Sequence, residues 1–431
     1  MSALVVWRDT HRVGVLEYVP NGGARFTYDP AVVAARDPGL AIGVRCPVRA
    51  APYVGQPVDA IFENLLPEGD LRRVLAQGTK HDVGDIIGLL GVVGGDCAGA
   101  LHLWPEGTEP PATPRYASLT PDELTQAFTV AEGQLRQAVG RASLSGMQPK
   151  LALYRLPPVG DVPGGAPTYR IPANGAPSTV VVKKPNALYP HMLEAEMVGM
   201  RLMAAAGVPT ASSARCVVAP ECHESARFDR TVAPGPANLA DGTEPLVSRR
   251  HAEDGCQITG RTSRSKYATT GGPSYQELVA VLTRWSITAL ADREHLFRWA
   301  MVNAAIGNYD GHAKNLSVVY VGPAQLQLAP AYDVVITAIY PALDRTFGLG
   351  FGGTIHPRAL TPRSLATAAR EFRLTERRAR DLAAEVITRL RVHQLDVMHA
   401  VHTLGGTPAA LDAVQASVIA TTDDLTTRLA L

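Results

Sequence analysis

The passage that most restricts the fold of this chain lies near residue 300. Leu296 to Ile306 (LFRWAMVNAAI) reads as a largely buried helix, and Gly307 stands where a left-handed cap ends it. A polar loop follows at once: Asn308-Tyr309-Asp310-Gly311-His312-Ala313-Lys314-Asn315. Two apolar runs come next, LSVVYV and QLQL, joined by the Gly322-Pro323 turn, and they predict a β-hairpin. The chain then reaches Ala331-Tyr332-Asp333. A hairpin returns the chain close to where it left, so Asp333 is expected back beside the polar loop.

These residue types in this order suit phosphoryl transfer. In kinase catalytic loops an Asp precedes an Asn by five residues, and Asp310 and Asn315 keep that interval. Asp310 would accept the hydroxyl proton and align the attacking oxygen. Asn315 and Asp333 offer the hard oxygen donors that Mg²⁺ prefers. His312 or Lys314 could neutralise charge on the transferring group. The match is not strict, because His312 stands where protein kinases often carry Lys and Val334-Val335 follows Asp333. Asp, Gly, Asn and His also cluster in ordinary turns, and Asp310 with His312 could equally ligate a hydrolytic metal.

A second signal lies upstream. Only six of the 41 basic residues are lysine: Lys80, Lys150, Lys183, Lys184, Lys266 and Lys314. Arginine cannot replace a compact ammonium packed tightly against phosphate, so each lysine is a pointer. Lys183 ends a β-branched run, Thr179 to Lys183, the pattern of a buried strand. His191 to Ala206 then fits a helix with Leu193, Met197, Met200 and Ala204 on one face, closed by Gly207 and Pro209. Glu196 borders that face. A strand lysine oriented by a helix glutamate is how kinases hold ATP phosphates. A strand-end lysine and a solvated glutamate give the same pattern.

The chain of 431 residues is 46% apolar and 19% charged, which excludes extensive disorder, and its formal charge of +1 excludes a global pull onto nucleic acid. No apolar run reaches about 18 residues, so no membrane span is expected. The start, MSALVVWRD, lacks the basic lead of a secretory signal. Five scattered cysteines show neither zinc nor disulfide spacing. A cytoplasmic location is expected. Leu4 to Tyr28 alternates as a small β-meander. Residues 105–116 are proline-rich and read as a linker, and Thr120 with Pro121 opens a helix. Residues 157–177 read as a mobile hairpin or loop insertion, and from Gln276 onward the pattern is mainly helical.

Several motifs together resemble the HipA-type serine/threonine kinases, the toxins of bacterial type II toxin–antitoxin pairs. They are SLSGMQPKLAL (143–153), VVVKKP (180–185), ARFDR (226–230), EDGCQITG (253–260), Lys266-Tyr267 with Gly271-Gly272, NYDGHAKN (308–315) and AYD (331–333), with ENLLPEG near the amino terminus. The resemblance implies a two-lobed α+β fold with three regions. These are an amino-terminal subdomain at 1–115, a β-rich kinase lobe at 116–250 and a helical lobe at 251–431.

It further implies ATP and Mg²⁺ as cofactors and Asp310 as catalytic base. Ser145, Gly146, Met147, Gln148 and Lys150 would form the phosphate loop, and Ser143 would be the autophosphorylated serine, with Ser145 the competing acceptor. Lys183 with Glu196 would take the phosphates, and Arg227-Phe228 would be the hinge whose backbone holds adenine. Asn315 and Asp333 would bind the metal, with His312 and Lys314 beside the nucleotide. Ala226 and Pro149 depart from the glutamates common at those places.

The implied partners are a helix-turn-helix antitoxin of HipB type, operator DNA through that antitoxin, and a translation protein such as an aminoacyl-tRNA synthetase as substrate. Residues 361–391 carry eight arginines against four acids, which suits either a DNA-facing helix or a plain amphipathic surface helix. Two other readings of the whole chain are a small-molecule kinase of aminoglycoside or lipid type, and a non-catalytic co-repressor.

Overall fold

The computed structural model describes residues 3–19, 23–129, 149–156, 168–186, 188–233 and 246–431. Helix and sheet are mixed, as the resemblance implies, and they divide into two compact units. One comprises Met1–Pro185, Arg215–Glu253 and Val319–Ala324, and the other Asn186–Ala214, Asp254–Val318 and Gln325–Leu431.

The first unit opens with the expected meander. Leu4–Arg8, His11–Tyr18 and Ala24–Tyr28 pair antiparallel, with Tyr53–Val54 and Leu101–Pro105 as the edge strands. Alternation sends Leu4, Val6, Leu16 and Phe26 into one core. The helices Gln56–Glu63 and Ile86–Val93 pack on this sheet. Beyond the second helix a turn carries Asp96, which is 1% exposed.

The second sheet of this unit runs Arg115–Ser118, Thr168–Ala173, Lys150–Leu156, Val180–Lys183, His223–Ala226, each antiparallel to the next. Thr168–Ala173 lies within the stretch read as a loop insertion. It is a regular hairpin arm, pairing Tyr154 with Arg170 and Leu156 with Thr168. Prolines and glycines around it hide a strand whose anchor is the buried Tyr169. The helix Pro121–Thr129 is fixed by the predicted cap, since Thr120 Oγ1 and Glu123 exchange hydrogen bonds.

A buried ion cluster ties the two sheets of this unit together. All five N–H donors of Arg227 are committed: to both Asp229 oxygens, to Asp96 Oδ2 at 3.1 Å, to Ser178 Oγ and to the Cys97 carbonyl. Arg230 reaches Asp96 Oδ1 at 2.7 Å and Asp229 Oδ2 at 2.8 Å. Burial alone would raise the Asp96 carboxyl. Arg230, Arg227 and Arg249 outweigh it and hold this acid well below the usual carboxylate range.

The second unit is mainly helical: Met192–Ala205, Tyr275–Trp285, Ala289–Ile306, Pro362–Glu371, Glu376–Thr403 and Pro408–Leu429. Its core includes Tyr275, Phe297, Phe351 and Phe372 in mutual ring contact. The helix expected from Leu296 begins at Ala289. Its first turns look polar because Asp292 is a buried structural acceptor, taking Ser286 Oγ at 2.6 Å and the Leu328 amide at 3.0 Å. In the arginine-rich stretch Leu382, Val386 and Leu390 are buried as their spacing predicts. Arg378, Arg389 and Arg391 pair with Glu294, Glu385 and Asp423.

Candidate active site

The polar loop leaves the helix Ala289–Ile306 through Gly307, whose φ of 72° is left-handed; a Cβ there would lie 2.4 Å from Ala338 Cβ. Asn308 then turns back. Its amide nitrogen donates to Asn303 Oδ1 at 3.0 Å, and its Oδ1 accepts from the Asp310 amide at 3.2 Å. The His312 amide donates to the Asp310 carbonyl at 2.8 Å, which tightens the bend. Asp310 is exposed at the tip, whereas His312, Lys314 and Asn315 are buried. The loop therefore offers one carboxylate outward on a rigid base.

Asn315 gathers the site. Its Nδ2 donates to the carbonyl of Asp310 at 3.4 Å and to that of Asp333 at 3.3 Å. One side chain thus joins the start of the loop to the residue the hairpin returns. The amide nitrogen being used this way leaves Oδ1 as the end that can serve a cation. Asp333 itself adopts φ 59°, an uncommon backbone for a non-glycine residue. Tyr332 anchors it, its hydroxyl donating to the Lys314 carbonyl at 2.7 Å.

Two segments clamp this loop. Asp254 caps the helix Gly255–Thr259 in a reciprocal box with Gln257, and its Oδ2 accepts from Lys314 Nζ at 2.8 Å. A Cβ on Gly255 would fall 2.5 Å from the Ala313 carbonyl, so only glycine permits that approach. Further on, the Ala313 amide donates to the Lys266 carbonyl, and the Tyr267 hydroxyl donates to Asp310 Oδ1 at 2.5 Å. The helix Met192–Ala205 buries Glu196 at 2% exposed. A Cβ on Gly199 of that helix would lie 2.4 Å from the Val334 carbonyl, so the helix packs on the backbone just after Asp333.

In the first unit, Lys150 and Lys183 are directly opposite one another on adjacent strands. Their neighbours Leu151 and Val182 point into the core, so the two lysines share the other face. Arg227, expected at the hinge, has its side chain in the ion cluster and its amide on the Thr179 carbonyl at 2.9 Å. Phe228 beside it is half-buried.

The structure thus gathers Asp310, His312, Lys314, Asn315 and Asp333 in one unit and Lys150 with Lys183 in the other. Ser143, Ser145, Gly146, Met147 and Gln148 lie outside the described residues. Asp96 escaped the sequence reading, and Asp229, Arg230 and Asp254 entered it as members of motifs with no role of their own. Only Asp254 had a local signal, the Asp-x-x-Gln of a capping box. Among the described residues no three His, Cys, Asp or Glu form a metal cluster.

A polar loop of this design, with an exposed carboxylate and an Asn bridging to a second Asp, is one that phosphoryl transfer can use. The model of the HipA-like C-terminal domain matches residues 142–394, and that of the HipA N-terminal domain matches residues 4–104. The chain belongs to the HipA family of kinase toxins. A protein of Sinorhizobium fredii named "Putative kinase Y4mE" is 32% identical over 82% of this chain and 81% of its own length. The serine/threonine-protein kinase toxin HipA of Shewanella oneidensis is 26% identical over 72% of this chain and 70% of its own. A solved Shewanella oneidensis complex of HipA, HipB and operator DNA contains a chain with the same fold. It aligns with a TM-score of 0.79 at 20% identity, covering 99% of this chain and 98% of that one.

Proposed function

We propose that this chain is an ATP- and Mg²⁺-dependent serine/threonine protein kinase acting as the toxin of a toxin–antitoxin pair. The observation that carries the reading is Asn315, whose side chain binds the backbone of both Asp310 and Asp333. Asp310 accepts the proton of the attacking hydroxyl and orients its oxygen. Lys150 and Lys183 take phosphate oxygens, and the phosphate loop at Ser145, Gly146, Met147 and Gln148 covers them. Bound Mg²⁺, for which Asn315 Oδ1 and the Asp333 carboxylate are suitable donors, supplies neutralisation of phosphate charge. Lys314 braces the loop through Asp254, and His312 supports it from within. With Arg227 committed to the ion cluster, the adenine-facing role at the hinge falls to Phe228 and its backbone.

Ser143 is the autophosphorylated serine in this reading, with Ser145 the competing acceptor. An added charge of about −2 beside the phosphate loop repels ATP and switches the enzyme off. The substrate is a serine- or threonine-bearing translation protein, an aminoacyl-tRNA synthetase being the expected class. An antitoxin of HipB type, joined to operator DNA, neutralises the toxin. Incubation of the purified chain with γ-labelled ATP and Mg²⁺, followed by peptide mapping, tests this. Label is expected at Ser143 and absent in Asp310→Ala. Equal label in both proteins refutes the assignment.

A further inference from the structure

One motif remains without a role in the chemistry above: Lys266-Tyr267 with Gly271-Gly272. We propose that Tyr267 is a positioning residue that fixes the Asp310 carboxylate through a phenol hydrogen bond, so that Oδ2 alone is presented to the substrate hydroxyl. The inference rests on Asp310 being the base of a kinase.

An exposed carboxylate at a loop tip is free to turn about its last torsion, and its two oxygens are then interchangeable. Proton acceptance needs one oxygen held on the line of the incoming hydroxyl, since a misplacement of about 1 Å costs about 100-fold in rate. The Asp310 backbone is already held by Asn308 and Asn315. The Tyr267 hydroxyl, at 2.5 Å from Oδ1, supplies the missing constraint on the side chain. Donation to one oxygen of a carboxylate leaves the other able to accept.

Tyr267 is itself built into place. The amides of Thr270 and Gly272 both donate to its carbonyl, at 3.0 and 2.8 Å. A Cβ on Gly272 would lie 2.6 Å from that oxygen, which explains the second glycine of the pair. Its ring meets His312 edge-on at 4.9 Å, and Lys266 Nζ lies 5.2 Å from the ring centre. The preceding carbonyl, that of Lys266, accepts from Ala313 inside the catalytic loop at 3.1 Å. Tyr267 is thus clamped to the loop whose base it touches.

The test compares wild type, Tyr267→Phe, Asp310→Asn and the double variant of the full chain. ADP formation from Mg²⁺-ATP is followed over a range of ATP concentrations, which counts transfer to the chain's own serines and to water alike. Tyr267→Phe keeps every ring contact and removes one hydroxyl. Its kcat is expected to fall about 10- to 100-fold with KM for ATP and Tm unchanged. Because Tyr267 acts through Asp310, the double variant is expected to be no slower than Asp310→Asn alone. The proposal is overturned by a kcat within twofold of wild type, by a rise in kcat, by loss appearing in KM, or by additive losses in the double variant. Wild type forming no ADP, or Asp310→Asn matching wild type, would instead remove the kinase assignment on which it stands.

Discussion

Asp333 illustrates how one backbone angle and one carboxylate are coupled. Its φ of 59° places it where side chains with a Cβ are strained, yet Asp and Asn tolerate that region better than most. The substitution Asp333→Asn therefore keeps the fold and removes the carboxylate charge that we propose binds the metal. Phosphotransfer is expected to drop more than about 100-fold, while stability stays within about 0.5 kcal/mol. Asp333→Ala should lose activity equally and about 1 kcal/mol of stability besides. Activity measurements and thermal melts on the two variants check both parts. Substantial activity in Asp333→Asn would contradict the metal-ligand role. The residue type was legible in the sequence at this position, but the left-handed angle was not, because φ depends on how Tyr332 is anchored to Lys314.

At the level of elements, the buried cluster around Asp96 joins the turn after the helix Ile86–Val93 to Arg227 and Arg230, which follow the strand His223–Ala226. Asp96 faces Arg227, Arg230 and Arg249, so removing its charge leaves these buried guanidinium groups only partly compensated, with Asp229 still paired to Arg227 and Arg230. Asp96→Asn is expected to destabilise the protein by about 3–5 kcal/mol in denaturant unfolding. Its folded pKa lies below that of the unfolded chain, so its contribution is complete above the unfolded value, about 3.9. It is then lost as pH falls from there through the folded value. An unfolding free energy for Asp96→Asn equal to that of wild type at pH 7 would contradict this account of the cluster.

Elements were readable where local physics dominates. The strand Val180–Lys183, the Thr120 cap and the Gly307 and Gly207 stops all follow from neighbours in sequence. Asp96 was not readable, since its partners Arg227 and Arg230 stand more than 100 residues away in the chain. Arg227 drew attention as part of a motif, but nothing local told that its guanidinium is wholly committed inside the protein.

For the molecule as a whole, the formal charge is +1, and among the described residues no helix is long and apolar enough to cross a membrane. The polar loop 308–315 was legible because helix, loop, hairpin and Asp333 are consecutive, so topology alone returns Asp333 to Asn315. The clamp by Tyr267 and Asp254 was not, because it comes from segments some 40 to 60 residues upstream whose docking is a tertiary event.

The kinase reading is tested most directly by phosphoproteomics of cells expressing wild type beside cells expressing Asp310→Ala at equal level. New phosphoserine or phosphothreonine sites on a translation protein, with growth arrest, are predicted for wild type only. Indistinguishable phosphoproteomes with arrest in both strains would contradict it.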